Sequence, residues 1–330
     1  LSRPLDPPVT APPGAVAGVD HTYRTMRQLS EPPTGMLMPG GWRRAVRAAT
    51  LGLLTPGAVL AVERERDLVA RIRVRQRAPR TVLFLSGKGG VGATTTAAGV
   101  GLSLTALRRD PAVLMDLRSG TQSIGRRLSG RTAPTPADLL HPDDRGALAR
   151  PLALRNGLRI VDSSPWHAPV DRAALSRLVA ELRDEHPFTL LDAGNDPGGT
   201  VPDAIARADQ VVVVTAANAV AVEATRVALG RVFQVDQRMM GRLVVAMVCP
   251  SRRSSRRTAR RLHRQLGVEA GRLVLVPYDP ALADGGPFDV DRLRAATREA
   301  YLRLAALITD PAPAGPRHGV VARSIGGPTP

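Results

Sequence analysis

Three features of the 330-residue sequence predict an α/β protein with a doubly wound, mostly parallel sheet behind a helical N-terminal extension. From residue 81 onward, short Val/Leu-rich runs alternate with stretches of helical period, the pattern of strand–helix–strand units. The runs are continuously apolar, as in strands covered on both faces. A glycine-rich stretch falls between the first run and the first helix, where such folds bind ligands.

The elements follow in order. Residues 1–40 hold eight prolines and little periodicity, which predicts a disordered tail. Residues 41–80 read as a basic helical extension. Trp42, Val46, Ala49 and Leu53 share one face of a helix that Pro56 should stop, and a second helix is expected over about 60–76. The main domain should span 81–310. Strands are expected at Thr81–Leu85, Ala112–Leu117, Leu158–Val161, Phe188–Leu191, Gln210–Thr215, Leu243–Val248 and Leu273–Val276. Helices are expected at Thr94–Leu107, Val170–His186, about 219–234, about 252–266 and Val290–Ile308. Residues 311–330 are rich in Pro and Gly and read as a second disordered tail.

Composition narrows the classes. Hydrophobic residues make up 43%, enough for a sizeable core. No apolar run reaches the roughly 20 residues of a membrane span, and the N-terminus has no signal-peptide core, so a cytoplasmic protein is expected. The single cysteine, Cys249, excludes an internal disulfide framework and a cysteine-based zinc site, and the histidines show no metal spacing. The formal net charge of +17 suits an anionic partner such as nucleic acid or a membrane face. With aromatics at 3%, stacking platforms for single strands are lacking. A basic amphipathic helix in the extension allows peripheral membrane contact or packing on the main domain.

Of the 46 basic side chains, one is lysine: Lys88, inside the glycine-rich loop Gly87-Lys88-Gly89-Gly90-Val91-Gly92-Ala93-Thr94-Thr95. Glycines let successive backbone N–H groups converge on an anion, and the next helix adds its N-terminal dipole. The arrangement predicts a phosphate cradle like that of P-loop nucleoside triphosphatases. In the pattern G-x-x-x-x-G-K-[ST], the lysine position is Ala93. A charge-assisted contact of that kind contributes about 1.5–3 kcal/mol, so its loss should weaken binding about 10- to 100-fold.

The stretch from Lys88 to Thr95 resembles the deviant Walker A motif of the ParA/MinD ATPases, in the SIMIBI class of P-loop proteins. The resemblance implies ATP and Mg2+ as cofactors and a nucleotide-dependent homodimer. It gives Lys88 the role of the signature lysine that reaches the partner's phosphates. Thr94 matches the Mg2+-binding hydroxyl and Thr95 a further phosphate contact. Asp116 matches the aspartate associated with the attacking water, and Asp192 the Walker B aspartate that holds Mg2+ through water. Val276-Pro277 resembles the segment beside the adenine. Two residues after Asp116, where the family often carries an acid, this chain has Arg118. The stretches Gly41–Val46, Ala206–Val213 and Asp291–Leu302 also resemble the MinD/ParA-like proteins associated with actinobacterial type VII (ESX) secretion, which implies secretion components as partners.

Seven arginines between Arg252 and Arg264, at spacings of three and four, form a basic stripe that nonspecific DNA would neutralise. The C-terminal Gly and Pro residues forbid a membrane-binding amphipathic helix there. Three readings therefore stand: an ATP-binding switch serving type VII secretion or cargo partitioning, with hydrolysis weakened by Ala93; a pseudo-ATPase scaffold; and a nonspecific DNA-binding partition protein.

Overall fold

A computed structural model describes residues 56–310 apart from 109, 119–122, 142–149, 155–156, 163–169, 197–198, 253, 255 and 284–288. The two tails and the helix expected over 41–56 lie outside the described residues.

Eight strands form one sheet: β1 (Arg80–Ser86), β2 (Ala112–Asp116), β3 (Leu152–Ala153), β4 (Leu158–Val161), β5 (Phe188–Gly194), β6 (Gln210–Ala216), β7 (Val244–Val248) and β8 (Leu273–Val276). Their order is β3-β4-β2-β5-β1-β6-β7-β8, and every neighbouring pair is parallel except β3 with β4. The antiparallel β3 has two residues, too short for a hydrophobic pattern to show in sequence. Strands β1, β2, β5 and β6 are buried almost throughout, as continuous Val/Leu runs require. The chain leaves β1 toward β2 and β4, returns to insert β5 between β2 and β1, then continues outward from β6. Helices therefore leave β1 and its neighbours in opposite directions, which opens a crevice at their carboxyl ends.

The described part of the helical extension contains α1 (Pro56–Arg73), so the helix expected over about 60–76 is already present at Pro56 and ends earlier. Pro56 is the first described residue of this helix. Leu68 and Ile72 are buried, whereas Val74 lies past the helix end and is exposed. The last turn of α1 is held by Arg108, whose Nη1 donates to the carbonyls of Ile72 and Val74, each at 2.7 Å, while its guanidinium lies over Phe188. Arg71 bridges to Asp310.

Helix α2 (Ala93–Leu107) follows the glycine-rich loop and is buried on almost every side. Its small residues have a packing reason. A Cβ at Gly99 would lie 2.7 Å from the Tyr301 ring, and one at Gly101 would lie 2.9 Å from Leu158. Then come α3 (Ile124–Ser129), α4 (Pro136–Leu140), α5 (Arg172–Glu185), α6 (Thr200–Arg207), α7 (Ala219–Val235), α8 (Arg256–Leu266), α9 (Pro280–Ala283) and α10 (Ala295–Thr309). The final helix, expected as one piece over Val290–Ile308, is divided into a 3-10 turn at Val290–Arg292 and α10. Asp279 makes the division, since its Oδ2 accepts the Arg294 N–H just before α10. The basic helix starts at Arg256 rather than 252 and turns Ala259 and Leu266 inward, leaving Arg260, Arg261 and Arg264 exposed. Arg253 and the side chains of Arg256 and Arg257 lie outside the described residues.

Candidate phosphate-binding site

The glycine-rich loop closes the gap between β1 and α2 at the carboxyl edge of the sheet. Gly87, Lys88, Gly89 and Gly90 are exposed, and Val91 and Ala93 are buried. Ser86 Oγ donates to the Lys88 carbonyl at 3.1 Å and tightens the turn. Gly90 (φ 75°) and Gly92 (φ 92°) are left-handed, a conformation that other residues adopt at a cost. Gly87 has a different reason: a Cβ there would lie 1.9 Å from the Ala224 carbonyl oxygen of α7. The N-cap of α2 is Gly92, with no side-chain cap hydrogen bond. The first amides of α2 therefore face the loop without a side-chain acceptor, the arrangement that receives an anion.

Two carboxylates stand beside this loop. Asp116 and Asp192 are register partners at the ends of β2 and β5, 1% and 0% exposed. The Gly194 N–H donates to Asp192 Oδ1 at 3.0 Å. Burial, followed by the charge of Asp116, pushes the Asp192 carboxyl up to about 6, and Arg118 and Thr94 oppose that rise.

Arg118 joins the pair. Its Nε donates to Asp116 Oδ1 at 3.0 Å and its Nη2 to Asp116 Oδ2 at 2.9 Å, a forked contact. The same Nε lies 3.6 Å from Asp192 Oδ2. The Arg118 backbone N–H also donates to Asp116 Oδ1, so the residue is held at both ends. The fork draws the guanidinium's proton affinity up against the effect of its burial. An Mg2+ ion placed at these oxygens would meet a fixed positive charge. Among the described residues no three His, Cys, Asp or Glu side chains converge on a common point. A divalent ion at these oxygens would have to displace the Arg118 fork from Asp116, while Asp192 Oδ2 is buried without a hydrogen-bond partner.

A second arginine flanks the loop. Arg127 Nη1 donates to Thr95 Oγ1 at 3.0 Å across a shallow cleft that Thr94, Ser123 and Ile124 also line. Asp162 positions it. Its carboxylate accepts from Ser123 Oγ and from the backbone N–H groups of Ile124, Gly125 and Ala133, which pins the start of α3. Sequence reasoning missed both Asp162 and Arg127. The one local signal was Ser123, which caps α3 by accepting from the Arg126 N–H.

Pro277 follows β8. Val276 of that strand pairs with Val248, and Val248 approaches Gly92, so Pro277 stands at the loop's end of the sheet. Lys88 is exposed at the loop's outer surface.

The fold resembles that of known structures. A ParA family ATPase from Chlorobium tepidum superposes with a TM-score of 0.57 at 15% identity, covering 69% of this chain and 99% of that one. A MinC:MinD cell division protein complex from Aquifex aeolicus gives 0.56 at 19% identity, covering 72% and 98%. This chain has the ParA/MinD fold. No protein-family model matches it. In sequence, this ParA/MinD-fold chain is 26% identical over 293 residues to the ESX-1 secretion-associated protein EspI of Mycobacterium tuberculosis, from strains CDC 1551 / Oshkosh and H37Rv. That match covers 82% of this chain and 42% of the relative, so the chain spans less than half of EspI. Among the described residues, no helix is long and apolar enough to cross a membrane.

Proposed function

We propose that the chain is an ATP-binding switch protein of ParA/MinD type serving type VII secretion, with hydrolysis held low. The observation that carries this reading is the loop Gly87–Thr95: an exposed stretch Gly87–Gly90, two left-handed glycines and a helix start without a side-chain cap, at the carboxyl edge of the sheet. The amides from Gly87 to Thr95 would hold the phosphates and Pro277 would border the base. When bound, the nucleotide supplies a terminal phosphate whose presence distinguishes two states of the protein. Lys88, exposed on the loop, would reach a second copy's phosphates in a dimer.

Two features argue for weak turnover. Ala93 removes the cation that would neutralise charge developing on the phosphate. Asp116, the residue assigned to the attacking water, has both oxygens occupied by Arg118. The link to secretion is supported by the similarity to EspI, an ESX-1 secretion-associated protein.

The test compares ATP binding and phosphate release by the wild type, Lys88→Ala and Ala93→Lys. The wild type should bind ATP with phosphate release near background. Ala93→Lys should bind about 10- to 100-fold more tightly, the worth of one charge-assisted contact. Absence of calorimetric heat with millimolar ATP or ADP, with and without Mg2+, would remove the nucleotide reading.

A further inference from the structure

We propose that the Arg118 guanidinium is the built-in cation of this site, standing where a divalent metal would otherwise serve, so that the chain takes a nucleotide's phosphates without Mg2+. The inference rests on the nucleotide reading above and adds its metal requirement.

Four observations carry it. Asp116 and Asp192 are register partners on adjacent strands, both buried, and a cation beside them relieves the repulsion between their charges. Arg118 supplies it with a fork onto Asp116 and a 3.6 Å approach to Asp192. The backbone is shaped to admit it: a Cβ at Gly194 would lie 2.4 Å from Arg118 Cδ, so the strand end after Asp192 carries no side chain where the arginine passes. Finally, the strand end that Arg118 approaches at Asp192 also borders the loop, since a Cβ at Gly89 would lie 3.4 Å from the Asn195 side chain. The Arg118 side chain keeps 28% of its surface exposed, so part of it remains open to an anion. Guanidinium suits the task, being permanently charged and forked to match oxygens in pairs.

The experiment is ADP calorimetry on the full chain in EDTA and in excess Mg2+, for the wild type, Arg118→Ser and Arg118→Lys. The wild type should bind with affinities within about threefold in the two buffers. Arg118→Ser should lose about tenfold or more in EDTA, the worth of one charge-assisted contact, and recover with Mg2+. Arg118→Lys, which keeps a point charge, should fall between them. Wild-type binding that weakens about tenfold or more in EDTA overturns the proposal.

A second arm uses Mn2+ alone, followed by electron paramagnetic resonance without nucleotide. Arg118→Ser should bind Mn2+ and the wild type should not; uptake by the wild type overturns the proposal. This arm separates the two readings. If no protein takes ADP in either buffer the nucleotide function fails, while Mn2+ still reports whether Arg118 holds the metal's position. Should Arg118→Ser not fold, the two wild-type measurements decide.

Discussion

Gly194 and Arg118 share one space: the arginine's Cδ passes 2.4 Å from the point where a Cβ at Gly194 would stand. Gly194 is also left-handed, with φ 53°. It ends β5, two residues after the buried Asp192, so the absence of its side chain lets Arg118 fold back onto Asp116.

Gly194→Ala is therefore expected to cost stability twice, through the left-handed backbone and through displacement of Arg118. Left-handed strain in a non-glycine residue costs on the order of 1–3 kcal/mol. The displacement can be separated by a double-mutant cycle with Arg118→Ser. Urea denaturation should show Gly194→Ala costing at least about 1 kcal/mol less in the Arg118→Ser background than in the wild type. Equal costs in both backgrounds would show that Arg118 does not occupy this space in solution.

Asp162 offers a second case. One carboxylate accepts from Ser123 Oγ and from three backbone N–H groups at the start of α3 and the following loop. Asp162→Ala would leave the buried Ile124 and Gly125 N–H groups without that acceptor, at a cost of about 2 kcal/mol. The effect should be local first. Amide exchange at Ile124 and Gly125 should accelerate more than exchange in β1 or β6, and uniform acceleration would argue against the anchoring role. Because α3 carries Arg127 to Thr95, the same variant should also weaken ADP binding.

Much of this architecture was legible because burial on both faces writes itself into sequence. The runs that became β1, β5 and β6 are apolar without alternation, and the loop stands out through its glycines and the only lysine in the chain. Arg118 was less legible. In sequence it reads as an acid that has been lost; its partner Asp192 and the room at Gly194 come from a distant strand. Asp162 is one aspartate after a strand, and nothing in its neighbours announces four donors. The division of the last helix depended on Asp279, which reaches the Arg294 amide only once β8 and α10 are packed.

Gly99 and Tyr301 give a packing test. Alanine in a helix interior normally gains about 1 kcal/mol over glycine. Here a Cβ at Gly99 would meet the Tyr301 ring at 2.7–2.8 Å, and Tyr301 is 1% exposed in the interface between α2 and α10. Overpacking of this kind costs about 1–3 kcal/mol, so Gly99→Ala should be net destabilising. Combining it with Tyr301→Leu should restore part of the loss, read as a rise in Tm over Tyr301→Leu alone. A Tm for Gly99→Ala at or above that of the wild type would mean that the two helices are not in this contact.

His186 sets an acid limit on stability. Its Nδ1 lies 2.8 Å from the Leu182 carbonyl, which only an N–H can approach, so Nδ1 carries the proton. Nε2 lies 3.2 Å from Arg159 Nη1 and must accept, which makes the ring neutral. Burial, and then the charge of Arg159, hold the imidazole below its ordinary value of 6.5, outweighing the Leu182 carbonyl and Glu185. A folded-state value below the unfolded one means that the unfolded chain binds more protons in between. The stability contributed by neutral His186 is therefore complete above about pH 6.5 and declines as pH falls toward the lowered folded-state value. In His186→Gln the amide can still donate to Leu182 and accept from Arg159 without titrating. Urea midpoints at pH 7.5 and 5.0 should differ less in this variant than in the wild type, whose loss on acidification includes the histidine. An identical loss in both proteins would place the acid sensitivity elsewhere.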